Sequence, residues 1–255
     1  MLPVLFIGHG SPMNAIESNT FTKEWKKLSQ EFSKPKKIVI VSAHWLTKGT
    51  KIMYQQPPKL IYDFYGFPKV LYETKYDCPT DLELAKKINL LIPDSTLDDS
   101  WGIDHGAWSI LKIMYPDNDI PVVQVSLDYY ASNFMLYELG EKLKVLREED
   151  VLIIGSGNIV HNLRLANFQA NYPWASTFDN YIYQNIIIKN HKAIINYDSI
   201  GEVSRLAVPT TEHFNPLLVV LGATNQNDEV IVRLKEIYAG SISMTSYLFK
   251  EEEKR

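Results

Sequence analysis

The sequence predicts an α/β fold: a single domain over residues 1–255, with a central mixed, largely parallel sheet flanked by helices on both faces. Three observations predict it. Short apolar runs rich in β-branched residues alternate with longer segments of helical period, the pattern of strands and helices in turn. The composition, 45% hydrophobic and 22% charged, suits a globular core and argues against long disorder. A chain of 255 residues also buries roughly 70% or more of its unfolded surface, so it needs no disulfide or structural metal to fold.

The first strand is Pro3 to Ile7, closed by the turn formers Gly8-His9-Gly10-Ser11-Pro12. A helix over Thr20 to Phe32 follows, with Phe21, Trp25, Leu28 and Phe32 on one face. Lys37 to Ser42 is the second strand and ends at Ala43-His44-Trp45. Gln55 to Pro79 breaks the pattern: about 25 residues, rich in Pro, Tyr and Phe, with little periodicity. A loop of that length in a compact domain is usually functional or disordered, and its aromatic content argues against disorder. Tyr62, Phe64, Tyr65 and Phe67 there either fill core or cover a planar ligand.

A second helix carries Leu84, Ile88 and Leu91 after a cap at Thr80 or Asp81. Val122 to Ser126 and Val151 to Ile154 are the third and fourth strands. Between them Phe134, Leu139, Leu143 and Leu146 outline a helix, and Phe178, Ile182 and Ile186 outline another beyond. Gly155-Ser156-Gly157 lacks the full phosphate-cradling spacing, since position 160 is Val160, and reads as a tight turn.

Several function classes are excluded. The 26 basic and 30 acidic residues are well mixed and give a net charge of −4, so no basic stripe invites nucleic acid. The charge run Glu251 to Arg255 reads as a solvated tail. Cys78 is the single cysteine, which precludes an intrachain disulfide and fits a reducing compartment. No basic n-region precedes Leu2 to Ile7, and no apolar run approaches the ~20 residues of a membrane span. A cytoplasmic protein is expected, of unreadable oligomeric state.

The six histidines carry the most information. His9, His44 and His161 follow predicted strands; His105 lies in Trp101-Gly102-Ile103-Asp104-His105-Gly106, and His213 in Thr211-Glu212-His213-Phe214-Asn215-Pro216. Only His191 sits in plain helical sequence and reads as surface. Open α/β sheets bind ligands beyond the carboxyl ends of their strands, so loops from separate strands would bring such histidines together. Imidazole suits Fe, Zn, Cu and Ni, and open sites take about three protein ligands. No two of the five form a short pair such as H-E-x-x-H, and no G-x-S-x-G elbow is present.

Taken in order, these five histidine segments resemble the class III extradiol ring-cleavage dioxygenases, within them the 4,5-DOPA extradiol dioxygenase-like branch. The resemblance runs from Gly8-His9-Gly10-Ser11-Pro12 to Gly222 and includes Asp63-Phe64-Tyr65-Gly66-Phe67-Pro68, Tyr172-Pro173-Trp174-Ala175 and Gly240-Ser241-Ile242-Ser243-Met244. It implies an Fe(II) site, which Zn(II) can occupy on isolation, taking a catechol such as DOPA and O2 as substrates. By motif it implies His9, His44 and His213 as metal ligands. His161 would be the acid–base residue, able also to approach the metal, and His105 a second histidine orienting substrate or oxygen.

This chain departs from the two-histidine, one-carboxylate pattern at the third position. Glu212 adjoins His213, and a shift of one residue would restore the carboxylate. An all-histidine set also resembles that of zinc hydrolases. A zinc hydrolase and a non-catalytic metal- or ligand-binding protein therefore remain as alternatives. Arg164, three residues beyond His161, is a candidate for a substrate carboxylate or for a surface ion pair.

Overall fold

The computed structural model describes residues 1–252, so the sequence-expected solvated tail lies outside the described residues from position 253 onward. The four apolar runs read as strands become β1 (Val4–Gly8), β2 (Lys37–Thr47), β5 (Val122–Asp128) and β6 (Val151–Gly157). They lie side by side in the order β5-β2-β6-β1, all parallel. Alternation explains why they are central. Leu5 and Ile7, Ile38 and Ile40, and Leu152 and Ile154 enter one apolar cluster, while Val4 and Phe6, Val39 and Val41, and Val151 and Ile153 enter another. Both faces are buried, as parallel strands require.

The sheet has eight strands, and the sequence did not single out the outer four. These are β3 (Lys51–Met53) and β4 (Thr96–Asp98) beyond β5, and β7 (Asp228–Arg233) and β10 (Ser246–Glu251) beyond β1. The β3–β5, β1–β10 and β10–β7 pairs are antiparallel, so the sheet is mixed with a parallel centre. A small ribbon pairs β8 (Ile237–Tyr238) with β9 (Ile242–Ser243).

Helices cover both faces. The one cluster packs under α1 (Thr20–Leu28), α2 (Lys69–Tyr72) and α4 (His105–Met114). The other packs under α3 (Leu82–Leu91), α5 (Asn133–Leu143), α6 (Pro173–Ile187), α7 (His191–Ile195), α8 (Glu202–Ala207) and α9 (Asn215–Gly222). Caps set several starts: Asn19, Asp81, Asp104 and Ser132 each accept a backbone N–H of their helix's first turn. Two expectations need correction. The first helix stops at Leu28 instead of Phe32, where Pro35 follows closely. Phe134 is 55% exposed, and the buried stripe of α5 is Leu136, Leu139 and Leu143.

The aromatic loop is ordered and packed. Tyr62, Phe64 and Phe67 lie against the cluster under α4, the Tyr62 hydroxyl donates to the Thr74 carbonyl, and Tyr65 alone stands out at 92% exposure. Among the described residues no helix is long and apolar enough to cross a membrane.

Candidate metal centre

Five of the six histidines meet at one end of the sheet, because β1, β2 and β6 are parallel and deliver their carboxyl ends together. His9 directly follows β1, and its N–H donates to the carbonyl of Gly157 at the end of β6. His44 lies inside β2, which runs on to Thr47 through an irregularity between Val41 and Leu46. The sequence reading ended that strand at Ser42; the bulge re-aims His44 without ending the strand. His105 opens α4 behind the Asp104 cap. His161 follows β6, and His213 lies in the turn before α9, its carbonyl accepting the N–H of Asn158.

Two glycines make this convergence possible. A Cβ at Gly157 would stand 2.2 Å from the His213 carbonyl oxygen, so only hydrogen lets the His213 segment seat on β6. A Cβ at Gly106 would stand 2.6 Å from Ser42 Oγ and 2.8 Å from the His44 ring. The Gly155-Ser156-Gly157 stretch is thus the end of a strand packed against another segment's backbone, rather than the turn expected.

The ring centroids of His9, His44 and His213 form a near-equilateral triangle, with sides of 5.1, 5.3 and 5.0 Å. His105 lies 4.0 Å from His44 and 5.9 Å from His9, and His161 stacks on His213 at 3.4 Å. By nitrogen and carboxylate positions, two groups could each hold a cation: His9, His44 and His105, and His161, Glu212 and His213. The two descriptions agree on His9 and His44 and differ on the third place. His213 belongs to the triangle of ring centroids, whereas by nitrogen positions His105 is the residue grouped with His9 and His44.

Hydrogen bonds fix which nitrogens face inward. Ser156 Oγ donates its single proton to the Gly106 carbonyl, so it must accept from His9 Nδ1, 3.0 Å away. His44 Nδ1 lies 3.1 Å from Asp63 Oδ2, which can only accept when ionised. Both Nε2 atoms then carry lone pairs, and they face each other at 3.2 Å. Two lone pairs that close repel unless a proton or a metal ion sits between them. Metal–nitrogen bonds of about 2.0–2.1 Å at a tetrahedral angle would put such nitrogens about 3.3–3.4 Å apart. The donor set therefore fits a metal ion.

Burial governs the electrostatics. His9 and His213 have pKa values held far down by desolvation and by the neighbouring imidazoles, and burial brings His161 down to about 4. His105 is lowered by burial despite its bond to Asp63. At His44 burial also pulls down, but the Asp63 hydrogen bond and the charges of Asp104, Asp63 and Glu212 outweigh it and raise the pKa. Burial pushes Asp63 up, and the hydrogen bonds from His105 and His44 override it, holding the carboxyl far below its usual range. Desolvation keeps His161 a neutral base at pH 7.

Glu212 is engaged with His213 itself: Oε1 lies 3.3 Å from His213 Nδ1 and accepts from Thr210 Oγ1. His191 stands apart as the first residue of α7, half-buried, with Nδ1 3.1 Å from the Tyr137 hydroxyl. Its reading as a plain surface residue is corrected: it borders a cleft of about 470 Å³ that holds none of the other five. Arg164 is exposed and makes no ion pair among the described residues. Sequence reasoning gave no role to Asp63 or Ser156, which orient the rings. Asp63 lay in a quoted motif, but a lone carboxylate among aromatics carries no spacing signal; Ser156 carries none either.

Comparison with known proteins follows the same outline. The family model described as the catalytic LigB subunit of aromatic ring-opening dioxygenase matches residues 3–250. A 4,5-DOPA dioxygenase extradiol of Escherichia coli K12 is 42% identical over 96% of this chain and 93% of its own length. One from Beta vulgaris is 37% identical over 96% and 95%. The crystal structure of an uncharacterized protein from Escherichia coli K12 superposes with a TM-score of 0.84 at 39% identity, covering 97% of this chain and 99% of that one.

Proposed function

The chain belongs to the family of the catalytic LigB subunit of aromatic ring-opening dioxygenase and is an extradiol ring-cleavage enzyme; on that premise we propose that it opens a catechol such as DOPA with O2 and Fe(II). The observation that carries the site assignment is the facing pair of His9 and His44 Nε2 atoms, 3.2 Å apart, with three more imidazoles around them. His9, His44 and His213 would hold the ion, and Zn(II) can take its place on aerobic isolation. When bound, Fe(II) supplies the Lewis acidity that lets a catechol bind as an anion at pH 7 and the redox partner that O2 requires.

The protein's own groups do the rest. His161, kept neutral by burial, is the base that takes a catechol proton. Once charged in a buried site it is a strong acid, ready to return that proton to oxygen as the O–O bond breaks, so that both O2 atoms and the proton end in the ring-opened product. His105 is oriented toward substrate or oxygen by Asp63. Phe64 stands edge-on to His105 at 5.4 Å and continues into Tyr62 and Trp108, an aromatic wall for a planar ring that also excludes water.

The test is oxygen uptake by anaerobically iron-reconstituted protein across a panel of catechols. The reading expects stoichiometric O2 consumption and a yellow ring-opened product from at least one. Anaerobic ester or amide hydrolysis by the zinc form, without O2 uptake by the iron form, would replace the reading with a zinc hydrolase. Neither activity, with metal bound, would leave a binding protein.

A further inference from the structure

Three N–H groups converge on one carboxylate in the aromatic loop. Asp63 Oδ2 faces His44 Nδ1 at 3.1 Å; Oδ1 lies 2.9 Å from His105 Nδ1 and accepts the His105 backbone N–H at 3.1 Å. The side chain is 18% exposed, and its partners come from β2 and from the first residue of α4. We propose that Asp63 is a positioning residue of the metal centre, which imposes the Nδ1–H tautomer on His44 and His105 and thereby couples metal affinity to the order of loop 55–79. This inference rests on the reading of His44 as a metal ligand.

The argument is one of donors and acceptors. An ionised carboxylate only accepts, so both rings must present Nδ1–H to it and turn the Nε2 lone pair away. For His44 that lone pair points at His9 Nε2. The loop around Asp63 is also held by apolar packing of Tyr62, Phe64 and Phe67, by the hydroxyls of Tyr62 and Tyr72, by the Trp108 indole N–H donating to the Ile61 carbonyl and by the short Leu60–Ile103 bridge. The Asp63 bonds are thus its polar attachment to the histidines, and an ion that fixes His44 fixes the loop as well.

Asp63→Asn separates this role from simple packing, because the shapes match. The amide oxygen can still accept both N–H groups of His105, but the NH2 then meets His44 Nδ1–H, donor against donor. His44 must move the proton to Nε2, which aims an N–H at the centre and removes a ligand lone pair. Outer-shell partners of metal-bound histidines typically contribute about 10–100-fold in affinity.

Zinc titration of the metal-free protein against a chromophoric chelator reads this directly, without turnover. Asp63→Asn should bind Zn(II) about 10–100-fold more weakly than wild type, and Asp63→Glu, which keeps an acceptor-only carboxylate, should recover part of the loss. Zinc should slow amide hydrogen exchange across residues 55–79 in wild type and not in Asp63→Asn. If wild type binds no zinc, the metal-centre reading itself falls. If wild type binds zinc and Asp63→Asn matches it within about twofold, this inference falls and the reading stands. Should Asp63→Asn fail to fold, nitrogen-15 spectra of zinc-loaded wild type decide: Nδ1–H on His105 supports the role, and Nε2–H overturns it.

Discussion

At the scale of single residues, the third ligand and the proton carrier are the separable questions. Glu212 Oε1 is bound to His213 Nδ1 and Thr210 Oγ1, which leaves His213 Nε2 for the centre. His213→Ala should therefore lose bound metal and activity, whereas Glu212→Ala should keep metal and weaken it. Metal analysis after dialysis reads both, and the reverse order would make the carboxylate the ligand. His105→Ala belongs in the same series, since nitrogen positions also group His105 with His9 and His44. His161→Gln should retain iron and lower turnover by about 10²–10⁴-fold, the usual share of a general acid–base group. Loss of iron in that variant would make His161 a ligand, and full activity would remove it from the mechanism. Which histidines gather at one end of the sheet was legible in the sequence, because five read as loop residues after strands or before helices, although His44 proves to lie inside β2. What holds them was not legible, because Asp63 and Ser156 act through partners far along the chain, at His105 and His9.

Elements explain which strands could be read. β1, β2, β5 and β6 are buried on both faces and so spell continuous β-branched runs. β3 and β4 are three residues each, too short for any period to register. β7 is an edge strand with one buried residue, Asp228, and reads as mixed sequence. β2 shows the same limit differently: its strand continues past a bulge through a histidine and a tryptophan, which look like a loop. The packing of the His213 turn onto β6 yields a prediction at this scale. Gly157→Ala would place a methyl 2.2 Å from a backbone oxygen, which cannot rotate away, so the turn must shift. Overpacking of this kind costs about 1–3 kcal/mol. The melting temperature should drop, and zinc affinity should drop with it because His213 rides on the displaced backbone. Unchanged affinity at lowered stability would show that the metal set does not depend on this contact.

For the whole molecule, gathering five imidazoles into one buried site makes stability depend on pH. In the metal-free protein four of the five, His9, His105, His161 and His213, have pKa values pulled below 6.5, chiefly by burial, as does His191 outside the site. Between the unfolded value near 6.5 and the folded value, about 4 for His161, the unfolded chain binds more protons than the folded one. Stability contributed by these groups is therefore present above pH 6.5 and is lost as the pH falls. His44 has the opposite sign: its raised pKa adds stability that is complete below 6.5 and disappears as the pH rises through its folded value. Below 6.5 it adds no slope, so the lowered histidines act unopposed by His44. Denaturant unfolding of the metal-free protein from pH 7 to pH 5 should show stability falling by more than one proton's worth, about 1.4 kcal/mol per pH unit. His161→Gln should flatten that slope by up to one proton, since glutamine does not titrate. Zinc, which binds only deprotonated imidazole, should add stability at pH 7 and lose its effect toward pH 5. A stability maximum below pH 6 would mean that the histidines take up protons without opening the site, and the buried, neutral cluster described here would be wrong.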